Sequence, residues 1–369
     1  MTFGLYVIWV VQTIAAYAIL FLIQLPMRRH AGWILRAVVF AVKLVLLVAC
    51  AYLAVASGSW ITWNLNYTIG AFYLAIMGDL LSDIVTLPIV IIKKREGSVT
   101  IQAIVSLVLT LLVLILGAVN MQNVKKNELT YTSEKLARRH RFVFLSDLHV
   151  GSSQSAEVVE KTILEIASLR PDFVVLGGDI TDEFSTEDEM VTTYSLLGSM
   201  DVPVYFIYGN HDRQPNADLA GGAKFSPEKL EETLRYYGII ILRDEWVQIS
   251  PDLVLMGRED QSDPSRLAVE GLRPRPENAY VVNIDHSPYQ TDDIIATKAD
   301  LQLSGHTHAG QYFPLQLIYN LTGHDAYGSY RYGETDLYVS SGISGWRLPL
   351  RTEERCHYEL INLIPATYR

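Results

Sequence analysis

Four long apolar runs in the first third of the chain limit its fold more than any other feature. They cover 3–25, 37–56, 67–92 and 99–119, each long enough for the roughly 20 helical residues that cross a bilayer core. A backbone in lipid must satisfy its own hydrogen bonds, so runs of this length are predicted to be transmembrane helices. The first run has no basic stretch before it, exceeds the length of a signal-peptide core and is followed by Arg28 and Arg29. It therefore reads as a retained span and not as a cleaved signal. The fourth carries no charged residue at all.

Lys and Arg in the short loops predict the orientation. Arg28, Arg29 and Arg36 follow the first run, and Lys93, Lys94 and Arg95 follow the third. The stretch 57–66 has neither residue type and offers Trp60 and Trp63 as interfacial anchors. Both basic loops are expected on the cytoplasmic side of a plasma membrane, with the N-terminus and everything after the fourth helix outside. A second basic group, Lys125, Lys126, Lys135, Arg138, Arg139 and Arg141, runs against this, but long domains cross largely regardless of charge. Asp79 and Asp83 lie one helical turn apart inside the third run. Intramembrane carboxylates are costly; internal pairing, with Lys43 of the second run as partner, is the expectation, and an ion or proton path is the alternative.

Beyond the runs the character changes. Charged residues are only 19% of the chain, and nearly all of them lie in its C-terminal two-thirds. The predicted organisation is a transmembrane region over 1–122, a linker over 123–140 and one water-soluble domain over 141–369. A net charge of −10 argues against nucleic acid as a partner, because phosphate backbones call for a surplus of Lys and Arg. Cys50 and Cys356 provide no disulfide framework.

The soluble part alternates short β-type runs with polar helical stretches. Strands are predicted at 141–145, 173–176, 204–208, 239–242, 253–256, 280–284, 336–339 and 358–363, and an amphipathic helix at 156–169. The order suggests a layered α/β domain around two packed sheets. Polar clusters recur where strands end: Asp147 and His149; Gly177-Gly178-Asp179 with Asp182; Gly209-Asn210-His211-Asp212; Asp285-His286; and Gly305-His306-Thr307-His308. Carboxyl ends of strands are the usual rim for ligand sites in α/β sheets. Carboxylate, amide and imidazole donors together suit divalent Mn, Fe or Zn better than Mg or Ca. In Asp-x-His and His-x-His an extended backbone would turn alternate side chains to one face.

At these residues the chain resembles the calcineurin-like metallophosphoesterases, whose motifs Asp-x-His, Gly-Asp-x-x-Asp, Gly-Asn-His-Asp/Glu, His and Gly-His-x-His all occur here in order. The segment from Gly305 to Gln311 and that from Ser341 to Arg351 look like the membrane-associated branch. The resemblance implies that Asp147, His149 and His308 hold one metal, that Asn210, His286 and His306 hold the other, and that Asp179 bridges the two. It further implies that His211 sits over the phosphate and that Asp182 orients it. A pair of divalent ions can activate water and clamp phosphoryl oxygens, and His211 can protonate the leaving group, so no side-chain nucleophile is needed.

The substrate is less constrained. Tyr312, Phe313, Leu315, Leu317, Ile318 and Tyr319 follow a metal-type residue directly and suggest an apolar groove for a lipid-linked phosphoester. A soluble phosphodiester or nucleotide is the alternative. Arg347 and Arg351 are candidate phosphate or headgroup contacts. The acidic run 182–189 reads as a solvated loop apart from Asp182, and 213–225 as a lid or a connection. Readings of another class are a transporter with a regulatory metal-binding domain and a scaffold that keeps the metals for structure.

Overall fold

A computed structural model describes residues 3–30, 33–55, 63–93 and 99–366, apart from 274 and 277. Four helices come first: α1 (Phe3–His30), α2 (Trp33–Val55), α3 (Trp63–Lys93) and α4 (Val99–Gln122). Each contains a stretch long and apolar enough to cross a membrane: Ile8–Leu25, Ile34–Ala54, Asn66–Thr86 and Thr100–Gln122. The helices extend a few residues past the apolar runs at most ends, because polar residues continue a helix once it is out of lipid. Many Val, Leu and Ile side chains of the four point outward, as a lipid-facing surface requires. The side chains of Arg28, Arg29, Trp60, Trp63, Lys93, Lys94 and Arg95, on which the orientation expectation and its anchors rest, lie outside the described residues.

Inside the bundle, Lys43 Nζ lies 2.8 Å from Asp79 Oδ2 and also pairs with Asp83. Ser106 Oγ donates to Asp79 Oδ1 at 3.1 Å. Lys43 thus pairs with two carboxylates between helices, the kind of internal pairing that makes intramembrane ionisable groups tolerable.

The rest of the chain forms two six-stranded sheets. The first has the order β1 (Lys125–Ser133), β12 (His357–Pro365), β2 (His140–Leu145), β3 (Phe173–Leu176), β4 (Val204–Phe206), β5 (Ile240–Ile241). Strands β2 to β5 are parallel to one another, and β12 runs antiparallel to β2. The second sheet has the order β10 (Gly328–Tyr332), β11 (Thr335–Val339), β9 (Leu301–Ser304), β8 (Tyr280–Ile284), β7 (Leu253–Gly257), β6 (Glu245–Ser250).

Alternation along the strands builds the layers. In β2, Phe142 and Phe144 turn toward the second sheet, where they join Leu253, Leu255, Val282, Leu301 and Leu303 in one buried cluster. Val143 and Leu145 turn the other way and pack with residues of α5 (Ala156–Ser168), α6 (Glu187–Gly198) and α7 (Pro227–Tyr236). Rings of Phe142 and Phe173 stack at 4.6 Å between centroids in the layer between the sheets.

Two sequence expectations change here. The stretch 123–140, predicted to be a linker, holds β1, which pairs in parallel with β12 over its full length. Its side chains alternate between half-buried and exposed, the pattern of a sheet edge. Strands β6, β9 and β10 also lay outside the predicted set; β6 and β10 are edge strands whose mixed composition masks the β pattern, and β9 is an interior strand of only four residues. The fourth membrane helix therefore passes into the first sheet after two residues.

A further cluster joins the two parts. Tyr312, Leu315, Leu348 and Leu350 are buried together with Trp9, Leu47, Ala51, Tyr67, Ala71 and Tyr73 of the bundle. Tyr73 Oη donates to Phe313 O at 3.0 Å, and Arg351 N donates to Gly117 O at 3.1 Å. A Cβ at Gly117 would stand 2.6 Å from Leu350 Cδ1, so glycine is needed for this close approach.

Candidate metal centre and active site

The five polar clusters meet at the shared rim of the two sheets. Strands β2, β3 and β4 deliver Asp147, His149, Asp179, Asn210 and His211 from one sheet; β8 and β9 deliver His286, His306 and His308 from the other. Ligand-type atoms of Asp147, His149 and His308 lie within 4.8 Å of one another, and so do those of Asp179, His286 and His306. Asp179 reaches toward both groups, with Oδ2 at 3.1 Å from His286 Nε2 and 3.8 Å from His149 Nε2. Asn210 Oδ1 is 2.8 Å from His306 Nδ1.

The backbone achieves this by turns and not by extended strand. Asp147, His149, Asp179, His306 and His308 all have φ between 43° and 72°, in the left-handed region that non-glycine residues rarely occupy. The expectation that Asp-x-His and His-x-His sit on one face of extended backbone is therefore corrected. Such conformations cost about 1–3 kcal/mol each and gather where function requires them. Room for the carboxylates comes from two glycines. A Cβ at Gly209 would stand 2.3 Å from Asp179 Oδ1, and one at Gly305 would stand 2.3 Å from Asp147 Oδ2.

Outer hydrogen bonds aim the rings. His149 Nδ1 meets Asp182 Oδ2 at 3.1 Å, while the Nδ1 atoms of His286 and His308 meet Gly177 O at 2.8 Å and Ser344 O at 3.1 Å. Each Nε2 is thereby turned inward, the orientation that metal-binding histidines need. The Nε2 atom of His149 is buried with no hydrogen-bond partner, and that of His286 has only the Asp179 carboxylate beside it, at 3.1 Å and outside hydrogen-bond geometry. Buried polar atoms are rarely left unmet, and two of them facing clustered carboxylates fit a pair of divalent cations.

Charge within the cluster is strongly shared. Burial disfavours the Asp179 carboxylate, but His286, His211 and His149 outweigh it and hold its pKa well below the usual range. Burial pushes His308 down to about 3 and His306 down to about 4, whereas against burial Asp182 raises His149 and Asp179 raises His286.

His211 stands beside the cluster. Burial works against its charged form, but Asp179 and Glu183 prevail and raise it to about 9. Its Nδ1 meets Glu183 Oε2 at 2.9 Å, and its ring stacks on Trp346 with 4.1 Å between centroids. Asp182, expected to orient His211, bonds to His149 instead; the neighbouring Glu183 takes that position. Glu183 is fully buried, so the reading of 182–189 as a solvated loop fails for its first part. The rest opens α6, where Thr186 and Glu189 close a capping box.

Arg347 and Arg351 are also corrected. Both are buried, and neither lines the pocket at the cluster. Arg351 donates to the carbonyls of Ser341, Gly342, Ser344 and His308, so its guanidinium ties the 341–344 segment to the loop that carries His308. The side chain of Arg347 lies over the Trp346 ring. The stretch 213–225 is held down: Gln214 Nε2 donates to Asp182 O at 2.8 Å and Arg213 makes a two-pronged pair with Glu259.

Sequence reading gave no role to Glu183, Asp212, Trp346 or Tyr289. Asp212 accepts from the backbone N–H groups of Asp179, Ile180, Thr181 and Gly209, which fixes one site turn against another. Its place in Gly-Asn-His-Asp was the available signal. The pocket itself holds about 160 Å³, and its lining includes Asp179, Asn210, His211, His306, His308 and Trp346 together with Tyr289, Gln311 and Tyr319.

Two adjoining carboxylate–imidazole groups thus meet at the joint rim of two packed sheets. Residues 140–310 match the calcineurin-like phosphoesterase family, so this stretch of the chain is similar to domains of that family. It is 28% identical over 242 residues to an uncharacterized metallophosphoesterase of Helicobacter pylori, an alignment covering 63% of this chain and 62% of the relative. It is also 28% identical over 280 residues to a transmembrane protein with metallophosphoesterase domain from Danio rerio, covering 71% of this chain and 62% of the relative. The chain thus spans 62% of the length of each of these relatives. Among solved structures, a dimetal phosphatase from Danio rerio aligns at 13% identity over 55% of this chain and 88% of its own, with a TM-score of 0.35, too low to bear an argument.

Proposed function

We propose that the protein is a membrane-bound phosphoesterase that hydrolyses a lipid-linked or envelope phosphodiester by direct attack of water. In this reading Asp147, His149 and His308 hold one metal, Asn210, His286 and His306 hold the second, and Asp179 lies between. The observation that carries the reading is the placement of both ligand groups in one pocket with His211, whose ring is braced by Glu183 and Trp346. Two divalent transition-metal ions, Mn first with Fe or Zn as alternatives, would activate water and draw charge from the phosphoryl oxygens.

The chain's own groups supply the rest. Glu183 holds His211 at Nδ1 and leaves Nε2 to face the substrate. From there His211 contributes positive charge beside the phosphoryl group and passes its proton to the departing alkoxide oxygen as the phosphorus–oxygen bond breaks. The stacked Trp346 keeps the ring in that plane. A pocket of about 160 Å³ is below the roughly 300 Å³ of ordinary ligand sites, so it suits a phosphoryl group with the remainder of the substrate outside. The buried junction with the membrane helices supports a substrate that approaches from the bilayer. The basic loops support an arrangement with the catalytic domain on the outer face of the plasma membrane.

The test is turnover by full-length protein in detergent, stripped of metal and given Mn²⁺, Zn²⁺, Mg²⁺ or Ca²⁺ singly, on an aryl phosphodiester and an aryl phosphomonoester. Metal-dependent hydrolysis that disappears in Asp179→Asn and His211→Ala is expected. Protein that binds no transition metal, or an Asp179→Asn variant as active as the wild type, would overturn the reading.

A further inference from the structure

Helix α9 (Leu315–Leu321) has two apolar faces, and only one has a partner within the protein. Leu315 is buried, and Ile318 and Tyr319 pack beside it into the cluster shared with the membrane helices. Phe313 stands just before the helix, and the face opposite that cluster carries Leu317 and Leu321, four residues apart and therefore in line along the helical surface. These side chains are 44%, 53% and 77% exposed. Other large exposed apolar side chains of the phosphoesterase domain, such as Leu164, Tyr236, Leu267 and Ile295, are scattered over separate elements.

The position of this row says what covers it. Phe313 O accepts from Tyr73, which lies inside the candidate span Asn66–Thr86. The helix lies against α2, where Ile318 and Tyr319 pack on the cluster that holds Leu47 and Ala51, near the end of the span Ile34–Ala54. A short helix anchored there cannot stand in bulk water while its supports stand in lipid. Amphipathic helices in this situation lie in the plane of the interface with their apolar side at the headgroup–acyl boundary.

We propose that α9 is an in-plane membrane-contact helix, with Phe313, Leu317 and Leu321 seated in the lipid boundary. Tyr319 of the same helix lines the pocket, so the mouth of the site opens at headgroup depth. A phosphoester carried by a membrane lipid then reaches His211 without its chains leaving the bilayer. The contact itself rests on the position of α9 alone; the access route rests also on the phosphoesterase reading.

The experiment places the photoreactive residue p-benzoylphenylalanine at position 317, 321 or, as control, 236, in full-length protein reconstituted into phosphatidylcholine–phosphatidylglycerol vesicles. After irradiation, lipid adducts are counted by mass spectrometry. Adducts at 317 and 321 well above those at 236, which is 81% exposed, are expected. Equal yields at all three would overturn the contact, whether or not the protein hydrolyses anything. In parallel, the double variant Leu317→Glu, Leu321→Glu is assayed on a soluble aryl phosphodiester and on the same ester carrying an acyl chain in vesicles. Loss of two leucines from the lipid boundary predicts a fall of about tenfold or more on the vesicle ester with the soluble ester unchanged. An equal change on both would overturn the access route. A wild type inactive on both would instead count against the phosphoesterase reading and leave the adducts to decide the contact.

Discussion

Asp182 and Glu183 are adjacent in sequence yet brace different histidines, His149 and His211 respectively. Their substitutions should therefore separate. Loss of a carboxylate behind a ligating histidine typically weakens metal binding about 10–100-fold, so Asp182→Ala is expected to lower metal affinity by that order in a titration. Glu183→Gln touches no ligand and should leave metal content unchanged while kcat falls by about 100-fold, the usual size of a general-acid contribution. If Glu183→Gln lost its metals while keeping kcat, the assignment of the two carboxylates would be reversed. The metal-type residues were legible in the sequence because each sits in a short contiguous motif after an apolar strand. Glu183 was not, because in the run 182–189 it looks like any other surface acid, and only burial against His211 distinguishes it. Arg351 failed in the opposite sense: a guanidinium near the motifs suggests phosphate, but here it satisfies backbone carbonyls.

At the scale of elements, the segment 308–321 and the segment 346–353 together form the junction between bundle and catalytic domain. Glu353 is central to it. Its carboxylate accepts from Gln316 N at 2.9 Å, and burial pushes its pKa from 4.5 up to about 8. The folded protein thus holds a proton on Glu353 that the unfolded chain releases at lower pH. The resulting stability is fully present below about 4.5 and is lost as pH rises toward and through about 8. Thermal unfolding in detergent should show the wild type weakening relative to Glu353→Gln across that window and no further above it. A constant difference at every pH would mean that Glu353 titrates alike in the folded and the unfolded chain. The strands that carry site residues were largely predicted, since β-branched and aromatic runs between polar turns have few other ways to fold. The edge strand β1 was not, because its alternating Lys, Asn, Glu, Thr and Ser side chains carry no hydrophobic run, and its pairing depends on β12, more than 200 residues away.

For the molecule as a whole, the membrane bundle is part of the scaffold of the site. The chain from Trp346 to Arg351 runs from the face of His211 to close contact with α3 and α4, so bundle packing and site geometry are mechanically continuous. Within the bundle, removing Lys43 would strand two carboxylates in an apolar layer. Breaking a buried ion pair in this way costs about 3–5 kcal/mol, so Lys43→Met should sharply reduce folded protein on size-exclusion chromatography. Adding Asp79→Asn and Asp83→Asn should restore it. Failure of the triple variant to recover would point to a role for these acids beyond pairing. Legible in the sequence by itself were the layered α/β class, the four apolar N-terminal spans and the grouping of ligand-type residues in short motifs, because hydrophobic periodicity and contiguous motifs are local properties of the chain. Which carboxylate serves which histidine, the burial of Arg347 and Arg351, the pairing of β1 and the seating of α9 against the membrane helices were decided only by the tertiary structure. Each depends on groups far apart in sequence, and their distances and exposure exist only once the two sheets and the bundle have packed.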